Sequence, residues 1–563
     1  MPVLNWIGKD AVVRHDAEVP FRLLHDVSEL ACSSLPLAVD GPDDGKHADN
    51  LIVEGDNLLA LKALLPHYGG QVKCIYIDPP YNTGNEGWVY NDNVNSPQMR
   101  EWLGKVVGKE AEDLTRHDKW LCMMYPRLKL LKRFLREDGF IFVSLDDNEC
   151  APLKLILTEL FGEQNFVAQI IVEANRRGQT YKQISKTHEY ILCYSCTPLA
   201  KMAEIQTGGE NLDRKDAFGS YSARELRNRN PKFGRHNRPN LFYPIYIDPA
   251  SGDSDGQFIV SGIRAQNSLE VLPFNSEGKE SCWRWGASTL AKACEEGKKI
   301  VYGSQTRNGE WRVFEKYRKE SVKPKSVWSE TEFISEQGTY VLTEMGLAEH
   351  FQFPKPPDLI RRCIELSTSK NDLILDSFAG SGTTAHAVLK QNAEDGGNRR
   401  CILVEMDPNI ARKVTAERVR RVAQGYTNAK GETVPGLGGG FRYATLGKPL
   451  FGANGHINPE VNFAELARFV WFMETGTPLA SKKPISPLLG VHEGRAVYLL
   501  YNGILKDKSA GGGNVLTSPL LAELPAHDGP KTIYGTRCLI KPERLRALRI
   551  AFRQLPYELK VAR

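Results

Sequence analysis

The sequence predicts an α/β protein in which a doubly wound, largely parallel sheet is split by a long insertion. Three observations support this. Strand-like and helix-like runs alternate in two separate stretches, each stretch contains a strand that ends in a polar turn, and residues 171–345 between them show only weak periodicity. Because strands alternating with helices form parallel βαβ units, the two stretches are expected to be two halves of one sheet.

The first half is expected within residues 46–170. The run LIVEG predicts a short strand, and a helix starts after it at Asp56 or Asn57. Residues 72–77, VKCIYI, form a β-rich run that stops where two prolines remove backbone donors. From Trp120 onwards, the apolar spacing predicts a long helix, which Gly139 closes before the strand GFIFVSL.

The second half is expected within residues 346–430. Asp358 is placed to cap the helix LIRRCIELS, and LILDSF predicts the next strand. A predicted loop at 380–384 leads into the helix TTAHAVLKQN, and the strand CILVE precedes a helix over 409–422.

Three further regions flank or interrupt the sheet. Residues 1–45 are expected to be an irregular N-terminal extension that ends in the turn-rich run GPDDGKHADN. Residues 171–345 are long enough to form a domain of their own. After a glycine-rich linker, residues 431–563 contain the runs AVYLLYN and KTIYGTRCLI and the helical pattern PERLRALRIAF, which predict a small α/β C-terminal domain for docking or dimerisation.

The composition is that of an ordinary soluble chain. Of the 563 residues 41% are apolar, and 73 basic against 68 acidic residues leave a net charge of only +5, so any nucleic-acid contact should come from a local patch. Eleven widely spaced cysteines are typical of reduced thiols in a cytoplasmic protein, and the single CxxC at 193–196 predicts no metal site. No apolar run approaches the roughly 20 residues that a membrane span needs.

The turn Asp78-Pro79-Pro80-Tyr81 carries the first chemical signal. It follows a buried strand, at the sheet edge where open α/β folds bind ligands. The Asp78 carboxylate and the Pro79 carbonyl are suited to accept both N–H groups of an exocyclic nucleobase amine and so expose its lone pair, and Tyr81 offers a ring on which an extruded base can stack. The alternative is a rigid turn with a capping aspartate.

The run DSFAGSGTT at 376–384 carries the second signal. Its glycines let the backbone approach a ligand, and the helix that follows offers free N–H groups. The lysine of a P-loop is missing, so ATP is not expected. Glu405 ends the next strand, where an acid holds ribose hydroxyls in dinucleotide folds. The alternative is a plain turn, with Glu405 or Asp407 serving as a helix cap.

In this order, and separated by a long insertion, DPPYNTG and FAGSGTT resemble the motifs of β-class DNA amino-methyltransferases, which use S-adenosylmethionine. The chain most resembles the modification subunits of Type III restriction-modification systems, through segments such as GDNLLALKAL, FGEQNF, HEYILCYS and FPKPPDLIRRCIELST. The resemblance covers residues 46–430. It implies a Rossmann-like, S-adenosylmethionine-dependent methyltransferase sheet, in which the insertion is the target-recognition domain.

The resemblance also implies residue roles. Asp78, Pro79, Pro80 and Tyr81 match the catalytic motif, and aspartate in its first position is the usual form for methylation of adenine N6. The residues that match the cofactor site are Asp376, Phe378, Ala379, Gly380, Ser381, Gly382, Thr383, Glu405, Asp56 and Lys355. The expected reaction is direct methyl transfer from S-adenosylmethionine to a flipped adenine. Methylation of cytosine N4 is the alternative that the same motif allows.

Residues 214–238 form a basic segment, with eight basic and two acidic residues and interleaved aromatic residues. Arginine can contact guanine edges or phosphates, and the pattern does not say which. The residues expected to bind DNA are Arg224, Arg227, Arg229, Lys232, Arg235 and Arg238. The alternative is a solvated basic face.

The expected partners are double-stranded DNA, a second copy of the chain and an ATP-dependent restriction subunit, since this chain has no P-loop of its own. A second hypothesis is that the chain serves chiefly as the DNA-recognition subunit of a larger restriction or phage-defence complex. The recognition sequence cannot be read from these residues.

Overall fold

A computed structural model describes residues 4–32, 50–83, 101, 104–105, 115–178, 183–206, 212–452, 455–481, 484–502, 509 and 511–555. The chain forms two compact units. The sheet unit comprises Met1–Ala203 and Lys325–Arg563, and the inserted unit comprises Glu204–Pro324.

The sheet unit is built on a ten-stranded mixed sheet. In chain order the strands are β1 (Arg22–Asp26), β2 (Asn50–Glu54), β3 (Val72–Ile77), β4 (Leu135–Leu145), β5 (Phe166–Val172), β6 (Glu189–Ser195), β7 (Val327–Trp328), β8 (Leu373–Asp376), β9 (Arg400–Glu405) and β10 (Phe441–Pro449). Their spatial order is β1-β10-β2-β9-β8-β3-β4-β6-β5-β7. The six strands from β10 to β4 are mutually parallel, and β6 and β1 add to them in antiparallel fashion. The doubly wound α/β prediction is confirmed.

Helices connect and cover these strands. They are α1 (Asn57–Tyr68), α2 (Arg116–Phe134), α3 (Cys150–Phe161), α4 (Ser335–Glu344), α5 (Pro357–Ser367) and α6 (Thr383–Asp395), followed by the contiguous segments Pro408–Ile410, Ala411–Ala416 and Glu417–Gln424, of which the middle one is a π-helix. Strands β3, β8 and β9 are buried along nearly their whole length, as expected for parallel strands covered on both faces. Their core also includes buried side chains of α1, α2 and α3.

Several local expectations differ from the structure. The N-terminal region is not irregular throughout, because β1 pairs with β10. Gly139 lies inside β4 and does not close the preceding helix, which ends at Phe134. Asp358 does not cap α5, because Pro356 occupies the N-cap position and the Asp358 carboxylate accepts hydrogen bonds from Lys390.

The inserted unit is shorter than the stretch of weak periodicity, because β5, β6 and α4 belong to the sheet unit. Its two ends pair with each other through the short strands Ile205–Gln206 and Ser321–Val322. Trp283, Leu290 and Val301 are among the side chains of its core. Its other strands are Arg214–Asp216, Gly219–Glu225, Ile245–Ile247, Val260–Ser261, Leu269–Val271, Val301–Gln305 and Trp311–Tyr317, and its helix is Ala287–Glu295.

The C-terminal region combines a long helix with a second sheet. The helix is Phe463–Thr475, and the main strands are Leu488–His492, Arg495–Leu499, Lys531–Gly535 and Ile550–Gln554, accompanied by the short strands Val515–Leu516 and Arg537–Cys538 and the helices Ser518–Glu523 and Pro542–Ala547. The helix expected over PERLRALRIAF is therefore short, and its last residues form a strand. All eleven cysteines are free.

Within the described ranges, no helix is long and apolar enough to cross a membrane. The same ranges contain no group of three or more His, Cys, Asp or Glu side chains that could hold a metal ion.

Candidate active site

The two sequence motifs meet at one edge of the sheet. Strands β3 and β8 are parallel neighbours, with Ile75 opposite Leu375, although about 300 residues separate them along the chain. The turn 78–81 follows β3, and the glycine loop, residues 377–382, follows β8. Both therefore leave the sheet at the carboxyl ends of adjacent strands.

Hydrogen bonds to Trp120 and Glu149 hold the 78–81 turn in place. The Pro80 carbonyl accepts a 2.6 Å hydrogen bond from Trp120 Nε1 on α2. The next residue, Asn82, has a left-handed backbone with φ of 56°, and its amide donates to the buried carboxylate of Glu149 at 2.5 Å. Glu149 also lies 2.6 Å from His117 Nδ1. These contacts fix the chain on both sides of Tyr81.

Asp78 has a buried acceptor that is left open. Among the described residues its Oδ1 atom has no hydrogen-bond partner, and Lys355 Nζ is 3.5 Å away. Burial raises the pKa of Asp78 to about 6, although Lys355 opposes this shift. A buried carboxylate oxygen without a donor is costly unless a ligand supplies one.

Tyr81 is bonded through its hydroxyl to two charged groups. It donates to Glu189 Oε2 at 3.0 Å and accepts from Lys355 Nζ. Lys355 also donates to Glu189 at 2.7 Å. Burial alone would raise the pKa of Glu189, but the Lys355 charge holds it below its usual range. Lys355 thus contacts the 78–81 turn directly.

The glycine loop has the backbone that its sequence requires. Gly380 and Gly382 have φ values of 50° and 75°, and a Cβ atom on Gly382 would lie 3.2 Å from Thr415. Asp376, at the end of β8, accepts hydrogen bonds from Phe378 N at 2.9 Å and from Thr384 Oγ1 at 2.5 Å. Burial raises the pKa of Asp376 to about 7.

A buried guanidinium supports this loop. Arg418 donates to Ser381 Oγ at 2.8 Å and to Thr383 Oγ1 at 2.7 Å. Its side chain is fully buried, and this burial lowers its pKa to about 9, so it keeps its charge at neutral pH. A cation therefore lies behind the hydroxyl groups at the start of α6.

Glu405, at the end of β9, contacts the loop, and so does Asn57, which follows Asp56 at the start of α1. Glu405 Oε2 accepts from Gly380 N at 2.9 Å. Asp56 caps α1 by accepting from Leu59 N, and it pairs with Arg127 at 3.0 Å. The adjoining Asn57 amide donates to the Ser377 carbonyl at 3.1 Å.

A cleft joins the two motifs. Its lining residues are Tyr76, Asp78, Phe351, Phe353, Pro354, Lys355, Ile360, Asp376, Phe378, Ala379, Gly380, Ser381 and Thr383. Aromatic and apolar walls beside two buried carboxylates fit a cofactor that combines an adenosine, a small apolar linker and a sulfonium cation, such as S-adenosylmethionine. Asp78 thus lines the same cleft as the glycine loop.

The structure brings most of the expected site residues together. Asp78, Lys355 and six residues of the DSFAGSGT run line the cleft, and Glu405 hydrogen-bonds to the loop. Gly382 and Asp56 act through backbone shape and capping. Sequence reasoning missed Glu189, Glu149, Arg127 and Arg418, because contacts between residues distant in the chain leave no local pattern. Of these four, Glu189 contacts the 78–81 turn most directly, because its carboxylate bonds to Tyr81 and to Lys355.

The basic segment lies in the inserted unit and is partly neutralised there. Glu225 is buried and pairs with Arg227 at 2.9 Å and with Arg229 at 3.0 Å. Arg235 pairs with Glu280 at 3.0 Å. The Arg224 guanidinium lies over the Tyr317 ring, the Arg238 guanidinium lies over the Phe233 ring, and Lys232 is exposed.

An acid–proline–proline–tyrosine turn and a glycine loop at adjacent strand ends of a doubly wound sheet define the site of an amino-methyltransferase. The chain belongs to the DNA methylase family, whose N6 and N4 methyltransferase model matches residues 72–417.

The relatives that the chain is similar to are named as methyltransferases or as Mod subunits of restriction-modification enzymes. The chain is 31% identical to the Mod subunit of the Type III restriction-modification enzyme EcoPI of Escherichia phage P1, over 72% of this chain and 64% of that subunit. It is 33% identical to the Type II methyltransferase M.KpnI of Klebsiella pneumoniae, over 64% of this chain and 81% of that enzyme. It is 30% identical to the StyLTI Mod subunit of Salmonella typhimurium strain LT2, over 75% of this chain and 62% of that subunit.

The chain therefore spans less than two thirds of the length of these two Mod subunits. Among solved structures, the cytosine-N4-specific PvuII DNA methyltransferase is 12% identical, with a TM-score of 0.33, over 66% of this chain and 87% of that chain.

Proposed function

We propose that this chain transfers a methyl group from S-adenosylmethionine to the N6 amino group of an adenine in double-stranded DNA. The observation that carries the proposal is the buried Oδ1 atom of Asp78, which has no hydrogen-bond partner among the described residues and belongs to a residue that lines the same cleft as the glycine loop. An amino group that donates to this oxygen would lie beside the cofactor. The aspartate at the first motif position favours adenine over cytosine.

When bound, S-adenosylmethionine supplies an electrophilic methyl group on a sulfonium centre. The glycine loop, Asp376 and Glu405 would hold this cofactor, with Arg418 fixing the hydroxyls at the start of α6. Asp78 and the Pro79 carbonyl would accept the two amino N–H bonds and so expose the nitrogen lone pair. The Asp78 carboxylate then stabilises the positive charge that develops on that nitrogen, and the Tyr81 ring stacks on the extruded base.

The wider assignment follows from the relatives. We propose that the inserted unit recognises the DNA target through its basic segment, and that the chain acts in the cytoplasm as the modification component of a restriction-modification system. Two relatives are named as Mod subunits of Type III restriction-modification enzymes, which supports a restriction subunit as a partner. We propose that this partner is ATP-dependent and that the chain also pairs with a second copy of itself.

Labelled methyl transfer tests the function. The purified chain is incubated with unmethylated DNA and S-adenosylmethionine labelled in its methyl group, and the DNA is digested to nucleosides. Labelled N6-methyladenine is expected. Labelled N4-methylcytosine would instead identify the alternative substrate, and unlabelled DNA that the chain nevertheless binds would leave a recognition subunit as the better description.

The Asp78→Ala variant tests the assigned chemistry. It should abolish transfer while retaining cofactor binding, because the cofactor contacts come from the glycine loop and Glu405. A variant that still methylates would contradict the role of Asp78.

A further inference from the structure

The Lys355 ammonium lies near two carboxylates, those of Glu189 and Asp78. It is 2.7 Å from Glu189 Oε2 but 3.5 Å from Asp78 Oδ1. The first distance is that of a charge-assisted hydrogen bond, whereas the second is longer, and at that distance Lys355 acts on Asp78 chiefly through its charge. Lys355 therefore bonds to Glu189, and among the described residues Asp78 Oδ1 has no hydrogen-bond donor.

Glu189 is positioned for this competition by the sheet. It is the first residue of β6, whose antiparallel neighbours are β4 and β5, and its partner across the ladder is Val172. Its backbone is thus held in the ladder with β5, and the next residue, Tyr190, pairs with β4 as well. The Glu189 carboxylate also accepts a hydrogen bond from the Tyr81 hydroxyl at 3.0 Å. Its position is therefore fixed by two donors, Tyr81 and Lys355.

Tyr81 contacts both Glu189 and Lys355. Its hydroxyl donates to Glu189 and accepts from Lys355, so both hydrogen-bonding functions of the phenol are used. The ammonium also lies 4.6 Å from the centroid of the Tyr81 ring. A ring held at its far end by two charged groups presents one face in one orientation, which stacking on a planar base requires.

We propose that Glu189 is a positioning residue: by holding the Lys355 ammonium, it keeps Asp78 Oδ1 open for the target amino group and fixes the Tyr81 ring. This inference rests on the proposed methylation, which assigns Asp78 and Tyr81 to the target base. Glu189 itself acts through Lys355 and Tyr81 and does not contact the reacting atoms.

The Glu189→Gln variant tests the proposal, because the amide keeps the shape but loses the charge that holds Lys355. The ammonium should then move to Asp78 and occupy its acceptor. We expect methyl transfer to DNA at neutral pH to fall by about 100- to 1,000-fold, the range typical of losing one positioned catalytic hydrogen bond. The acid limb of the pH profile should move to lower pH, because the loss of the Glu189 charge and a closer ammonium both stabilise the Asp78 carboxylate.

A second substitution separates this mechanism from a merely structural role. In E189Q/K355M the competing ammonium is gone, so Asp78 Oδ1 is open again and transfer should recover several-fold over E189Q. If the double variant is no more active than E189Q, the proposal is overturned. The matched control is Glu173→Gln, which changes a glutamate that pairs with Arg176 on the surface of the same unit and should leave transfer unchanged.

A crystal structure of E189Q gives an answer that does not depend on activity. Lys355 Nζ within hydrogen-bonding distance of Asp78 Oδ1 supports the proposal, and a lysine that keeps its present position refutes it. If the wild-type chain fails to methylate DNA, the proposed function is wrong, yet this structure still decides whether Glu189 holds Lys355 away from Asp78.

Discussion

The Glu405 carboxylate accepts a 2.9 Å hydrogen bond from the Gly380 backbone, so the end of β9 is tied directly to the glycine loop. Its other oxygen accepts from Asp407 N at 2.9 Å. The Glu405 side chain thus fixes the glycine loop to the end of β9, which is the position where a ribose-binding acid is expected.

Replacing Glu405 with alanine should therefore weaken binding of S-adenosylmethionine and of its demethylated product equally, because both carry the same ribose. We expect affinity to fall by about 10- to 100-fold, as for loss of hydrogen bonds to a charged group. Isothermal titration with both ligands measures this. Asp407→Ala changes a neighbouring acid that caps the next helix and should bind the cofactor normally. A Glu405→Ala chain with normal affinity would exclude the ribose role.

The rate of methyl transfer should fall on the acidic side with a midpoint near the Asp78 pKa of about 6. Below this pH the carboxyl group is protonated and one of the acceptors for the target amine is lost. Single-turnover rates at saturating cofactor, measured between pH 5 and 8, provide the test. A rate that is flat across this range would show that Asp78 need not be ionised.

Asp376 should make the folded chain less stable as pH rises. Its pKa is raised to about 7 in the fold, against 3.8 as its reference, so the folded state binds the proton more tightly than the unfolded chain. The stabilisation is complete below about pH 4 and is lost as pH rises through about 7, with a slope of up to about 1.4 kcal/mol per pH unit. Asp376→Asn should flatten this part of the curve of melting temperature against pH.

Asp358→Asn is the control for that measurement. Lys390 and Arg361 hold the pKa of Asp358 below its usual value despite partial burial, so its contribution has the opposite sign and is lost only at acidic pH. Identical curves for Asp376→Asn and wild type would contradict the raised pKa.

Arg418→Met should loosen the glycine loop. The substitution removes donors to Ser381 and Thr383 but keeps an apolar side chain of similar length. We expect a loss of about 2 to 3 kcal/mol in the free energy of unfolding and weaker cofactor binding, from the hydrogen bonds of a charged donor. Denaturant unfolding and cofactor titration measure both effects. Arg420→Met, which removes a half-exposed arginine paired with Glu417, should change neither by more than about 1 kcal/mol.

Lys232 and Arg227 should differ in their effect on DNA binding. Lys232 is exposed, so Lys232→Ala should reduce the slope of log affinity against log salt by about one. Arg227 is paired with the buried Glu225, so Arg227→Ala should mainly destabilise the inserted unit. Equal salt slopes for Lys232→Ala and wild type would remove Lys232 from the DNA contact.

The sequence was sufficient for the features that are local in the chain. VKCIYI followed by two prolines predicts β3 and its end, and the glycines predict a loop whose φ values at 380 and 382 are indeed positive. The β1 strand was missed because its five residues are only partly buried and pair with a strand more than 400 residues away. Glu189 and Arg418 were missed for the same reason, since their partners become neighbours only after the sheet forms.

The adjacency of β3 and β8 has a consequence for how the protein is made. The ribosome synthesises about 300 residues between these two strands, which at about 5 to 20 residues per second takes roughly 15 to 60 s. All residues of the inserted unit are synthesised before β8. In the sheet unit, β3 cannot pair with β8 until β8 has left the ribosome. If the chain methylates DNA as proposed, it cannot do so until its synthesis has passed Glu405, so the activity should lag behind the start of translation by at least that interval.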